Sequence, residues 1–363
     1  MPNLTRRQLL KHMTKLLATT ATAALLGAHP RTTAARESAI RKPAPQRAPW
    51  TLYGRAIHTV HVYSAPTTAG ERMASYRRDE RLRLLGELRS PYSAHNNIWY
   101  RTPEGYVHSA WILPVRIYPS QPFHDAPSAW GFWGEIAQLY TEARTAPRPN
   151  APRQYRFYGG TVFRVLDVQE DDLGNGWYKV KDDYPPGQVG NHQWVLAEDV
   201  RRIPESEMTP IRPFVGDKRV EVDLGQQTLS CWEGTHRVFS TPVASGLGGE
   251  LATPTGEFSV ILKQPSRHMS NVVYEDMPEA DRPNPGDIFD LPGVPWNIFF
   301  DLEGRAIHGT YWHNDFGLRR SHGCLNVPIH AARWIYRWVQ PIAGYEDDFV
   351  QSDGRVGTPI LIR

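Results

Sequence analysis

In the run Ser321-His322-Gly323-Cys324-Leu325-Asn326 a thiol follows an imidazole and a glycine, and a second imidazole, His308, lies upstream in Ile307-His308-Gly309-Thr310. Twelve residues separate His308 from Ser321. A free thiol ionises near pH 8.5 and becomes a usable nucleophile at neutral pH once a neighbouring imidazole takes its proton. The pattern therefore suits acyl transfer, with Cys324 as nucleophile and an imidazole as proton acceptor and donor. Spacing alone does not choose between His308 and His322. Glycine before the nucleophile lets a substrate approach closely, and the Gly323 and Cys324 N–H groups are the expected donors to a developing oxyanion. Asn326 and Ser321 are candidates for hydrogen bonding to a peptide substrate or to the local backbone. Two blander chemistries compete. His308, His313, His322, Cys324 and His330 contain zinc-ligand types, but their spacings match no common zinc pattern, so no metal is expected. An inert core cysteine would have no need of two nearby histidines.

The same residues resemble the L,D-transpeptidase catalytic domain, also called YkuD-like. Its signature is a His, a spacer of about a dozen residues, and [Ser/Thr]-His-Gly-Cys followed by an apolar residue and Asn or Arg. Thr253-Pro254-Thr255-Gly256-Glu257-Phe258 and the terminal Gly357-Thr358-Pro359-Ile360-Leu361-Ile362 extend the resemblance over residues 217–363. It implies a mainly β fold, a YkuD-like β-sandwich with a short helix. It gives the acid–base role to His308 and a supporting role to His322, and it orients His308 through a backbone carbonyl at Gly309, with Asp315 as the nearest carboxylate alternative. It also implies peptidoglycan stem peptides as substrates, no cofactor, and carbapenem-type β-lactams as covalent inhibitors of Cys324. Two other outcomes are a carboxypeptidase or hydrolase in which water takes the acyl group, and a non-catalytic wall-binding protein.

The elements that must position these groups are only partly legible. Arg219 to Leu224 alternates as a half-buried strand, and Gly225-Gln226-Gln227 turns it into Thr228 to Trp232, which makes a hairpin. Cys231 falls in that run as a small packing residue, so Cys324 is expected to be a free thiol rather than its disulfide partner. Val238 to Ala244 and Glu257 to Leu262 suggest further strands, and Ile329 to Val339 carries a helical pattern. The Pro-rich stretch from Gln264 to Trp296 has no clear place in the minimal family pattern and stands as a candidate lid; Tyr274 within it and Trp312 beyond it are possible cleft aromatics.

Upstream, two stretches echo one another. Val60 to Pro66, Ile98 to Arg101 and Gly105 to Ile112 correspond to Thr141 to Pro147, Gly176 to Val180 and His192 to Leu196. They resemble bacterial SH3-like modules, two small β-barrels at 50–118 and 128–204. Their aromatics are expected either in the barrel cores or in a wall-binding groove. A polar, Pro-containing segment from Pro204 to Pro213 marks the last boundary.

Residues 1–35 hold Arg6, Arg7, Lys11, Lys15 and Arg31 and no acid, so their removal takes the formal charge from +3 to −2. A near-neutral body with mixed charges argues against nucleic-acid binding. The basic start, the short apolar run Leu16 to Ala28 and the small residues ending at Ala35 resemble a twin-arginine signal, followed by an extended linker at 36–49. Export to the cell envelope is therefore expected, with membrane anchoring if the signal is uncleaved.

Overall fold

The computed structural model describes residues 51–92, 96–119, 128–182, 192–271, 288–352 and 356–363. The signal and linker at 1–49, together with Tyr274, lie outside the described residues. The rest is mainly β, with one α-helix, Ile329–Trp338, among the described residues.

A pair of five-stranded sheets faces each other in the C-terminal region. One holds Lys218–Asp223, Thr228–Glu233, His236–Pro242, Gly256–Ser259 and Pro359–Ile362. The other holds Leu262–Ser270, Asp290–Phe299, Ala306–Gly309, Leu325–Val327 and Val350–Gln351. Alternation decides which side chains enter the core between them. Val220, Val222, Leu229 and Cys231 from the first sheet meet Ile298, Ile307, Leu325 and Val327 from the second, all fully buried. The helix adds Ala331, Ala332 and Ile335 from one face. Cys231 thus packs as an ordinary core residue, and the two cysteines are free thiols.

The expected strand from Glu257 to Leu262 divides. Val260 N–H donates to Thr358 O, whereas Ile261 N–H donates to Phe299 O, so the chain changes sheets between these residues. The expected lid is corrected at both ends. Gln264 to Ser270 and Asp290 to Trp296 belong to the long antiparallel pair Leu262–Ser270 and Asp290–Phe299, a structural hairpin at the heart of the second sheet. The segment between them, 272–287, lies outside the described residues.

The two N-terminal stretches share one strand order. The sheet of Arg153–Tyr158, Tyr140–Arg144, His192–Leu196, Gly176–Lys181 and Val162–Glu170 follows the same sequence of neighbours as Arg72–Tyr76, Val60–Tyr63, Gly105–His108, Ile98–Thr102 and Gly86–Arg89. Each stretch then adds a terminal strand after a single 3-10 turn, Ser109–Trp111 in one and Ala197–Asp199 in the other. Trp99, Tyr100, Trp177, Tyr178 and Trp194 are all buried, so these aromatics are packing residues.

These stretches are fused to the C-terminal region by buried contacts. Trp133 enters the sandwich core, and its indole Nε1 donates to Tyr345 O at 2.9 Å. Phe163 lies where a Cβ on Gly293 (φ +64°) would come within 2.4 Å of its ring, so only glycine permits that approach. The segment around Pro204 to Pro213 is likewise packed: Met208 is buried in the core, and Glu207 pairs with both Arg201 and the helix residue Arg333.

His268 forms the most polar of these junctions. Its buried ring bonds Asp182 Oδ1 through Nδ1 and Asp290 Oδ1 through Nε2, each at 2.7 Å. Burial opposes the charged form, but bonds to two carboxylates outweigh it and push the imidazole up to about 9. Because the folded value lies above the unfolded one, this contribution is fully present below about pH 6.5 and is lost as pH rises through about 9. Thermal unfolding is therefore expected to show stability falling by on the order of 2 kcal/mol between those limits, and His268→Gln should remove most of that slope.

Candidate active site

The site follows from one pair of strands. Ala306–Gly309 runs parallel to Leu325–Val327 with Ile307 opposite Leu325, His308 opposite Asn326 and Gly309 opposite Val327. Ile307, Leu325 and Val327 face the core. By the two-residue period of a strand, His308, Asn326 and the adjoining Cys324 project from the other face. Residues separated by a long excursion are thereby brought side by side.

The turn before Cys324 is held by specific bonds. Gly323 has φ +114°, and a Cβ there would lie 3.0 Å from Arg305 Nε and 3.5 Å from Ala252 O. Ser321 Oγ donates to Cys324 O at 2.5 Å and accepts from Gly323 N–H at 3.2 Å. This bond occupies one of the two expected oxyanion donors and leaves the Cys324 N–H as the other. Thr253 Oγ1 donates to Gly323 O and accepts from Gly246 N–H, each at 2.9 Å. Thr253 is thus a second fastening of the turn, inside the Thr253-Pro254-Thr255-Gly256 motif but invisible as a contact in the sequence.

His308 is buried, and its Nδ1 donates to Gly309 O at 3.1 Å, which leaves Nε2 as the basic nitrogen. Burial pushes this imidazole down to about 4, with the Gly309 carbonyl opposing the shift. Cys324 is half-buried, and desolvation pushes its thiol up to about 11 although the Ala306 N–H favours the thiolate. The resting pair is therefore neutral thiol and neutral imidazole. Asp315 is turned elsewhere: it accepts from Asn96 Nδ2 at 2.8 Å and from Arg320 Nε at 3.1 Å.

The remaining residues take distinct places. The His322 side chain is exposed, its ring 5.2 Å from that of Phe289. His330 is exposed at the start of the helix. Trp312 lies over the site with its ring 5.7 Å from that of His308. Asn326 is buried, and its amide meets His313 Nε2 at 3.0 Å. From sequence, His313 stands out only as a possible zinc ligand; no spacing rule marks its contact with Asn326. A cavity of about 1010 Å³, lined by residues including Tyr100, Gly160, His313, Asn314 and Arg333, opens between the two N-terminal stretches and the C-terminal region.

A half-buried cysteine, an oriented imidazole and a glycine turn with a backbone donor are the components that cysteine-dependent acyl transfer requires. The family pattern of the L,D-transpeptidase catalytic domain (YkuD) matches residues 217–362, and this region of the chain belongs to that family. Comparison with curated proteins gives no match. Among solved structures, the chain is similar to an Enterococcus faecium L,D-transpeptidase mutant at 23% identity and TM-score 0.31, covering 42% of this chain and 51% of that one. The chain thus spans about half the length of that relative. The isolated E. faecium catalytic domain acylated by ertapenem is 22% identical, with 40% of this chain and 97% of that one covered and a TM-score of 0.30. L,D-transpeptidase 3 from Mycobacterium tuberculosis, in complex with a faropenem-derived adduct, is 14% identical, covering 52% and 91% with the same TM-score, 0.30.

With the thiol near 11 and the imidazole near 4, both groups stay neutral between about pH 5 and 10. The acylation rate of Cys324 is therefore expected to be flat across that window, where a free thiol would show a rise near 8.5; stopped-flow measurement with an acylating β-lactam reads this directly. Gly323→Ala is expected to slow acylation by ~10-fold or more, because its φ and its neighbours together displace the nucleophile turn.

Proposed function

We propose that the protein is an exported peptidoglycan L,D-transpeptidase. The observation that carries this reading is the placement of Cys324 and His308 on one face of the parallel pair, with His308 Nδ1 engaged by Gly309 O and Nε2 left to receive a proton. In the first half-reaction His308 Nε2 takes the Sγ proton as sulfur attacks the carbonyl of the third residue of a tetrapeptide stem. The oxyanion draws on the Cys324 N–H. The bond to the terminal D-alanine then breaks, and His308 returns the proton to the departing amine, leaving a thioester. In the second half-reaction an amine of another stem attacks the thioester, His308 accepts its proton, and sulfur leaves and is reprotonated. Ser321 and Thr253 hold the turn throughout, and Asn326 contributes to the peptide-binding surface.

The basic, twin-arginine N-terminus supports export to the envelope, where such stems are found. The shared strand order of 50–118 and 128–204 supports their assignment as SH3-like modules that hold the catalytic region near the wall. Carbapenem-type β-lactams are expected to acylate Cys324, in keeping with the ertapenem and faropenem adducts of the similar structures.

Intact-protein mass spectrometry with a carbapenem tests the chemistry. One adduct on the wild type, none on Cys324→Ala and at least ~100-fold slower formation on His308→Ala are expected; no adduct on folded wild-type protein would overturn the reading. Incubation with purified tetrapeptide fragments then separates transfer from hydrolysis: cross-linked dimers are expected, and tripeptides alone would assign water as the acceptor.

A further inference from the structure

The excursion between the two strands of the site, residues 310–324, does more than close a loop. Its residue Tyr311 offers its carbonyl to Arg55 Nη2 at 2.6 Å. Asn314 Nδ2 donates to Tyr100 Oη at 3.1 Å and Ile112 O at 3.2 Å, and Asp315 accepts from Asn96. Arg55, Asn96, Tyr100 and Ile112 all belong to the first N-terminal stretch. Between these fastened residues stands His313, buried, with its side chain against Asn326.

The hydrogens at this contact can be counted. Burial, with Arg320 nearby, pushes His313 down to about 4, so the ring is neutral and has one N–H and one acceptor nitrogen. Asp315 N–H donates to Nδ1 at 3.3 Å, which makes Nδ1 the acceptor and puts the hydrogen on Nε2. With Asn326 Nδ2 placed 3.0 Å from Nε2, Oδ1 is buried without a partner. The two ends of an amide are told apart by their bonds, and the count at His313 reverses them. Nε2–H donates to the amide oxygen, and the amide NH2 is left as an unpaired buried donor. Asn326 stands on the face shared by His308 and Cys324, two residues beyond the nucleophile.

We propose that His313 is a positioning residue for the acyl transfer: held from behind by the first N-terminal stretch, it fixes the Asn326 amide so that its NH2 donates to a carbonyl oxygen of the acylating substrate. This rests on the function proposed above. It makes the first N-terminal stretch a structural component of the catalytic site, through the bonds that fasten residues 311–315.

The test separates carbonyl chemistry from general access to the thiol. In the full-length protein, His313→Ala is expected to lower the acylation rate at saturating carbapenem by about tenfold. Alkylation of Cys324 by iodoacetamide, which proceeds by displacement at carbon and builds no oxyanion, should be unchanged. Asn326→Ala should behave alike, and the double variant should be no slower than Asn326→Ala alone. Asn96→Asp, which sets a second carboxylate against Asp315, should reproduce a several-fold loss of acylation, and Asn96→Asp/Asp315→Asn should restore it by exchanging donor and acceptor. Wild-type acylation rates in His313→Ala, equal losses in acylation and alkylation, or multiplying effects in the double variant would overturn the positioning role while leaving the transpeptidase reading intact. If His313→Ala does not fold, failure of the Asp315→Asn exchange to rescue Asn96→Asp would overturn it instead. Absence of any adduct on the wild type would remove both.

Discussion

The parallel pairing of Ala306–Gly309 with Leu325–Val327 is the constraint on which the rest of this structure depends. Three register pairs place one face of each strand in the core and the other in the site. A shift by one residue would carry His308 and Cys324 into the apolar interior and turn Ile307 and Leu325 out of it. The burial of Ile307, Leu325 and Val327 therefore holds the register as well as the fold. Parallel neighbours need a connection longer than a tight turn, and here the excursion is stabilised from outside by Arg55, Asn96 and Tyr100.

The same burial sets the electrical state of the site. Desolvation raises the Cys324 thiol and lowers the His308 imidazole, so both environments favour neutral groups. Both shifts oppose spontaneous proton transfer from Cys324 to His308. Thiolate character must then develop as the carbonyl carbon receives the sulfur's electrons, with the Cys324 N–H stabilising the oxygen that gains charge. A resting thiol of this kind is also a poor target for oxidation, because oxidants attack the thiolate. The opposite solution is seen at His268, where two carboxylates outweigh desolvation and the ring is kept charged. One chain thus keeps a neutral histidine beside Cys324 and a charged one where its domains join.

Local sequence features were the readable ones. Alternation located Lys218–Asp223 and Thr228–Glu233 to within a residue, and the helical pattern from Ile329 ends one residue short of the expected Val339. The Ser-His-Gly-Cys turn was legible because its requirements, a glycine at positive φ and a hydroxyl that bonds both its flanks, lie within four residues. Where the chain serves two partners at once, periodicity failed. The run from Glu257 to Leu262 looks continuous but passes from one sheet to the other at Val260 and Ile261. The hairpin strand Asp290–Phe299 contains Pro292, Gly293 and Pro295, which hide a buried central strand behind a loop-like composition. The role of His313 depends on partners at residues 315 and 326 and on backing from the first N-terminal stretch, contacts that no spacing rule encodes.

The N-terminal stretches read in sequence as appendages, yet the bonds that join them to the catalytic region are buried and directional. Arg55 is held by Asp79 on one side and by the ring of Tyr158 on another, and Asp79 also accepts from Arg156. The same guanidinium reaches Tyr311 O, so one side chain joins both N-terminal stretches to the catalytic excursion. Removing a single member of such a network leaves an uncompensated buried charge, a cost greater than that of any one bond. A recognition module tied to a catalytic domain by a mobile linker would need none of this. The cost is understandable when the module is also the outer wall of the excursion: without it, the Tyr311 carbonyl, the Asn314 amide and the Asp315 carboxylate would lose these partners, and the loop between His308 and Cys324 would be held only by its bonds to the C-terminal region, such as Gly317 N–H to Val243 O and Ser321 N–H to Ser245 O.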